Sequence, residues 1–162
     1  LMTQMRKAGR SVSFDPNLRP SLWASQAQMI REINALAALA DWVLPGLGEG
    51  RLLTGFDDPE DIAAFYLDQG AEAVAIKLGA EGAYYRTHMD QGFVAAVPVA
   101  KVVDTVGAGD GFAVGMISAL LENLSFPEAV QRGNWIGSRA VQSRGDMEGL
   151  PTRAELPTRS VA

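Results

Sequence analysis

The run Ala73-Val74-Ala75-Ile76-Lys77-Leu78 constrains this chain more than any other stretch, because it is apolar almost throughout and shows no polar alternation. Such a run reads as a β-strand buried on both faces, and it stops at Gly79-Ala80-Glu81-Gly82. Its neighbours supply further strands and the helices needed to cover them. Ser11 to Phe14 is a short β-type run that empties into Asp15-Pro16-Asn17-Leu18-Arg19-Pro20, too rich in Pro and Asn to continue a regular element. Ser25 caps a helix in which Met29, Ile30, Ile33, Leu36, Ala37 and Ala40 recur as one apolar stripe. Trp42 to Pro45 is the next strand, and Leu47 to Thr54 is a short helix closed by Gly55. Asp58 caps another helix, with Pro59 at its first position, which runs through Ile62, Phe65 and Tyr66 to Gly70.

Beyond the apolar run, Ala83 to Arg86 and Phe93 to Val97 read as a hairpin around His88 to Gly92, and Val99 to Val103 as a last strand. Asp104 to Asp110 leads into a helix reaching about Glu122, and Pro127 starts a second that reaches about Ser143. The tail from Gly145 reads as a surface extension. This alternation predicts an α/β architecture with a mostly parallel sheet covered on both faces, whose binding sites lie beyond the carboxyl ends of the strands. Three loops are expected on that rim: Asp15 to Arg19, Gly79 to Gly82 and Asp104 to Asp110.

Composition narrows the chemistry. The chain has 162 residues, enough for one domain with a core, and carries 14 Lys and Arg against 19 Asp and Glu. The resulting charge of -5 makes nucleic acid and anionic membrane poor partners. With no Cys and a single His, thiolate nucleophiles, disulfides and His- or Cys-rich metal sites are excluded. Carboxylates, hydroxyls and backbone amides must carry any catalysis. No apolar run approaches membrane-span length, so a soluble, cytoplasmic protein is expected; the opening Leu1 to Gly9 reads as the tail of a helix, as if from the middle of a longer protein.

Gly107-Ala108-Gly109 at a helix start offers small side chains, unpaired amides and the positive end of a helix dipole, which together form an anion cradle. Asp110 just inside it is either a first-turn acid that stabilises the helix or a base that takes a proton from a hydroxyl attacking a phosphoryl group. Neither G-x-x-x-x-G-K-[ST] nor G-x-G-x-x-G occurs, so the loop is neither a P-loop nor a dinucleotide fingerprint.

Asp104-Thr105-Val106-Gly107-Ala108-Gly109-Asp110-Gly111-Phe112 resembles the second signature of the PfkB, or ribokinase-like, sugar kinases. Phe14-Asp15-Pro16-Asn17-Leu18-Arg19-Pro20-Ser21-Leu22-Trp23, Ile76-Lys77-Leu78-Gly79-Ala80-Glu81-Gly82-Ala83-Tyr84-Tyr85 and Arg144-Gly145-Asp146-Met147-Glu148-Gly149-Leu150-Pro151 are similar to the branch that acts on 2-keto-3-deoxygluconate. The resemblance implies a ribokinase-like three-layer α/β/α sandwich, of which residues 1–162 are the carboxyl-terminal, nucleotide-binding portion, without the amino-terminal sugar-binding and lid half. It also implies ATP-dependent phosphorylation of a sugar acid, with fructose or another ketose as the alternative acceptor and a non-catalytic nucleotide-binding fragment as the alternative role.

Carried over by residue, the resemblance makes Asp110 the general base and a substrate contact, and Gly107, Ala108 and Gly109 the anion hole. Arg19 and Asn17 would contact the sugar acid, a planar guanidinium suiting a carboxylate; the alternative for Arg19 is a surface ion pair. Gly79 and Gly82 would bring backbone close to the nucleotide, or form an ordinary turn. Lys77 would meet phosphate or extend along the surface to water, and Asn134 would sit near adenine or ribose. ATP and Mg²⁺ are the implied cofactors and a homo-oligomer the implied state of the full-length enzyme, but no metal-ligand set can be read. Two positions depart from the family pattern: Trp135 follows Asn134 in place of a small residue, and Gly48 stands where an acid is common, leaving Glu49 as the nearest support for magnesium. His88 falls in a turn, and Trp23 and Trp42 read as packing residues.

Overall fold

A computed structural model describes residues 1–157, and the chain divides into two compact units, residues 1–96 and 97–162. In the first unit, α1 (Met2–Lys7) precedes β1 (Ser13–Phe14), α2 (Gln26–Ala37), β2 (Trp42–Val43), α3 (Leu47–Thr54), α4 (Pro59–Asp68), β3 (Ala73–Lys77), β4 (Gly82–Thr87) and β5 (Gln91–Ala95). The five strands lie in sequence order in one sheet. β1, β2 and β3 run parallel, joined by helical crossovers, whereas β3–β4 and β4–β5 are antiparallel. The sheet is therefore mixed where a mostly parallel one was expected. A 3₁₀ turn at Gly79–Glu81 and the turn after Thr87 are far shorter than the dozen or so residues a parallel crossover needs.

β3 is buried along Ala73 to Ile76, as its apolar run requires. Val74 and Ile76 join Val43, Ala37, Ile62, Ala63, Tyr66 and Tyr84 in the main core, while Ala73 and Ala75, pointing to the opposite face, are buried as well. A smaller cluster of Met29, Ile33 and Leu53 joins α2 to α3, with Trp23 packed against it, so Trp23 is a packing residue. The predicted stripe on α2 is narrower than expected: Leu36 is 40% exposed, and Ala40 is buried beyond the helix end. Asp41 secures α1, accepting from the Val12 N–H at 2.6 Å and pairing with Arg6 at 3.1 Å.

The second unit is a helical hairpin, α5 (Ala108–Leu121) against α6 (Phe126–Ala140), with loops on either side. The helices approach closely because glycines face across the contact. A Cβ on Gly115 would lie 2.8 Å from the Arg132 carbonyl oxygen, and one on Gly133 would lie 2.9 Å from the Phe112 ring. No strand forms at Val99 to Val103. The Val103 N–H bonds the Val141 carbonyl at the end of α6, not a neighbouring strand, and Val102 and Val103 are half exposed. The segment after Gly145 is likewise no free extension, for Leu150 packs on Gly111 and Gly149 on the last turn of α6. No described helix is long and apolar enough to cross a membrane.

Candidate functional site

The Gly107 loop and its acid lie in the second unit. Gly107 caps α5 with φ +78, a left-handed conformation that L side chains avoid, and a Cβ there would lie 2.4 Å from the Asp146 carbonyl oxygen. Conformation and packing thus both demand glycine. The Ala108 N–H makes only a long 3.4 Å bond to Thr105, and the N–H groups of Gly107, Gly109 and Asp110 have no partner among the described residues. Three amides and the positive end of a fourteen-residue helix therefore face outward together, with the Gly111 N–H already committed to Gly107 at 2.8 Å.

Asp110 occupies the third helical position and is exposed. A first-turn acid serving the helix would accept from a nearby amide, as Glu128 does from the Ser125 N–H at 2.8 Å on α6. The Asp110 carboxylate makes no hydrogen bond or ion pair among the described residues, so it caps no amide and acts on the helix only as a first-turn charge beside the dipole.

Asp104 holds the approach to this loop. Its carboxylate accepts the Val106 N–H at 3.1 Å and the Gly145 N–H at 3.4 Å, and these two amides hold its carboxyl below the usual carboxylate range. Asn134 is 8% exposed on α6 and interacts within the protein. The half-buried Trp135 carries the Arg139 guanidinium 5.9 Å above its ring. Two cavities of about 360 and 390 Å³ open in this unit, the first lined by Arg139, Gln142, Glu148 and Leu150, the second by Glu122, Arg132 and Arg153. Neither includes Asp110.

The other expected site residues gather in the first unit, where β1 and β3 end on the same side of the sheet. Asn17 adopts φ +42, and its side-chain oxygen accepts from Arg19 Nη1 at 2.7 Å, while the same nitrogen reaches the Asn17 and Leu18 carbonyls at 3.3 and 3.0 Å. Among the described residues Arg19 Nε and Nη2 have no partner and Arg19 forms no ion pair, so the surface-pair alternative finds no acid there.

Lys77 does not extend to water. Its ammonium pairs with Asp15 Oδ2, and both side chains are largely withdrawn from solvent. Asp15 Oδ1 is buried with no partner among the described residues, and burial pushes the Asp15 carboxyl up, partly offset by the Lys77 charge.

Glu49 is equally committed: Oε1 accepts the Leu18 N–H at 2.7 Å and Oε2 the Gly46 N–H at 2.8 Å. It braces the loop, each oxygen keeping a further lone pair, and no group of three His, Cys, Asp or Glu suited to a metal exists among the described residues. Gly79 has φ +62 with open space around it, as a turn requires. Gly82, at φ +125, approaches backbone closely, but the backbone is that of β5: a Cβ would lie 2.1 Å from the Val94 carbonyl oxygen.

Comparison with known proteins gives this arrangement a family. The sequence pattern of the pfkB family carbohydrate kinases matches residues 1–153. The chain belongs to the PfkB family. It is 60% identical over 156 residues, 96% of its length, to 2-dehydro-3-deoxygluconokinase of Bacillus subtilis (strain 168), of which it covers 48%. A PfkB protein from Polaromonas sp. JS666 superposes with a TM-score of 0.85 at 61% identity, over 96% of this chain and 48% of that one. Aminoimidazole riboside kinase from Salmonella enterica, complexed with aminoimidazole riboside and an ATP analog, superposes with a TM-score of 0.85 at 34% identity, over 96% and 54%. The fold is the ribokinase-like α/β fold, and the chain spans about half the length of the curated relatives it matches.

Sequence reading missed two contributors. Asp15 as the partner of Lys77 is hidden by a separation of 62 residues, and Glu49 as a loop brace by one of 31. The signal available was only that Asp15 and Glu49 follow successive strands of one sheet.

Proposed function

We propose that this chain is the carboxyl-terminal, nucleotide-binding portion of an ATP-dependent sugar kinase whose acceptor is 2-keto-3-deoxygluconate, phosphorylated on its 6-hydroxyl. The observation that carries the reading is Asp110: an exposed carboxylate without a structural partner, beside three outward-facing amides at a helix start. In this mechanism the acceptor oxygen forms a bond to the γ-phosphorus as the bond to the ADP oxygen breaks, and the hydroxyl proton passes to Asp110. The amides of Gly107, Gly109 and Asp110 receive the charge on the phosphoryl oxygens, a fixed array that needs no reorganisation during transfer. Arg19 turns its two unpartnered nitrogens to the acceptor carboxylate. A bound Mg²⁺ would supply charge neutralisation along the phosphates, with the Glu49 and Asp15 carboxylates as the acidic groups nearest to that role.

The acceptor is supported by the 60% identity to the Bacillus enzyme of that name. Asp110→Asn in the full-length enzyme is expected to slow single-turnover phosphorylation by roughly 10²- to 10⁴-fold while ATP affinity changes less than about twofold. Near-normal turnover by that variant would remove Asp110 from the mechanism.

A further inference from the structure

The geometry points to Lys77 and Asp15 as positioning residues for the acceptor loop, not as nucleotide contacts: the ion pair ties the end of β3 to the end of β1 and, with Glu49, fixes the backbone that presents Arg19. That role rests on the proposed function, in which Arg19 is the contact for a carboxylate-bearing sugar.

β1 and β3 are not neighbours, since β2 lies between them, so their backbones are about 10 Å apart. Lys77 stands level with Gly46, just beyond β2, where its N–H bonds the Pro45 carbonyl at 2.8 Å, and its side chain spans the end of that strand to reach Asp15. Asp15 is the first residue after β1, and three residues later the Leu18 N–H is held by Glu49 from α3. The segment Asp15 to Leu18 is thus fastened at both ends, once by a buried charge pair and once by a charge-assisted hydrogen bond.

Between those two points Asn17 holds its left-handed conformation, and Arg19 follows directly, its Nη1 tied back to Asn17 and Leu18. Loss of the Lys77 ammonium would leave Asp15 buried and unpaired, a state relieved by moving the loop toward water. The fork of Arg19 moves with it. A residue acting this way changes acceptor binding and leaves the nucleotide site alone.

The test compares Lys77→Met, Lys77→Arg, Asp15→Asn and the Asp15→Asn/Lys77→Met double variant in the full-length enzyme. Lys77→Met is expected to raise the sugar-acid KM about tenfold or more with the ATP KM within about twofold, and Lys77→Arg to recover most of the loss. The double variant should be no worse than Lys77→Met alone, because the two residues act as one unit. An ATP KM that rises as much as the acceptor KM, or effects that multiply in the double variant, would overturn the assignment.

A second readout needs no substrate: hydrogen-exchange protection of the Leu18 amide should drop at least fivefold in Lys77→Met, with β3 amides unchanged. Unchanged Leu18 protection overturns the positioning role. A wild-type enzyme that phosphorylates no sugar acid overturns the functional reading instead, whatever Leu18 does. If Lys77→Met fails to fold, the double variant, which removes both charges together, carries both measurements.

Discussion

Single residues here do work that their type alone does not announce. Asp104 in the loop and Asp110 in the first turn of α5 are six positions apart, yet one is bound to two amides and the other to none. That difference makes Asp104 a latch, and the latch has a pH signature. The Val106 and Gly145 amides hold the folded Asp104 carboxyl below its unfolded value of about 3.9, so its stabilising contribution is complete above that value and lost as pH falls through the lower, folded one. Protection of the Val106 and Gly145 amides against hydrogen exchange should therefore decline below about pH 4, and Asp104→Asn should start lower and lack that acid step. An identical acid step in Asp104→Asn would assign it to another group. Asp15 has the opposite sign: burial raises its folded value, so Asp15 itself favours the folded state more as pH falls toward its unfolded value.

At the scale of elements, the α5–α6 hairpin depends on space left by missing side chains. A methyl group on Gly115 would meet the Arg132 carbonyl and the Gly133 Cα, both backbone and both at 2.8 Å. Backbone in a helix cannot step aside as a flexible side chain does, so the helices must part. Gly115→Ala is expected to cost on the order of 1–3 kcal/mol despite alanine's better helix propensity, which returns at most about 1 kcal/mol. Denaturant unfolding measures this, and a neutral or stabilising substitution would mean that the hairpin is less tightly packed. Gly48, exposed on α3 with no atom within 4 Å of where a methyl group would stand, is the control, since alanine there should stabilise.

For the whole molecule, the apolar surface is the informative quantity. Leu22 is 80% exposed, Leu121 72% and Val114 53%, the last two on one face of α5. Water-facing leucine on a helix that is apolar nearly all round is unusual in a monomer. Purified residues 1–162 are therefore expected to bind a hydrophobic dye and to associate in light scattering. A monomeric, dye-negative protein would show that this surface is tolerated as it stands. The chain alone is also expected to phosphorylate 2-keto-3-deoxygluconate at a small fraction of the full-length rate, because positioning and water exclusion supply much of the rate in phosphoryl transfer. A coupled assay of both proteins at equal concentration decides it.

Local physics made much of this protein legible from its sequence. Ser25, Gly55 and Pro59 mark helix ends because capping and backbone restriction act within one turn, and α3 begins and ends where its residues predict. The apolar run at β3 required burial on both faces, and the Gly107 loop announced a helix start. Tertiary structure decided what depends on residues distant in sequence. Val99 to Val103 has the composition of a strand, but its backbone is claimed by the end of α6. Lys77 pairs with Asp15, 62 residues away, and Gly82 must be glycine because β5 occupies the place of a side chain, neither of which its neighbours in sequence announce. Propensity and spacing are set by neighbours along the chain, whereas the partner of a charge and the occupant of a gap are set by whichever residue folding brings there.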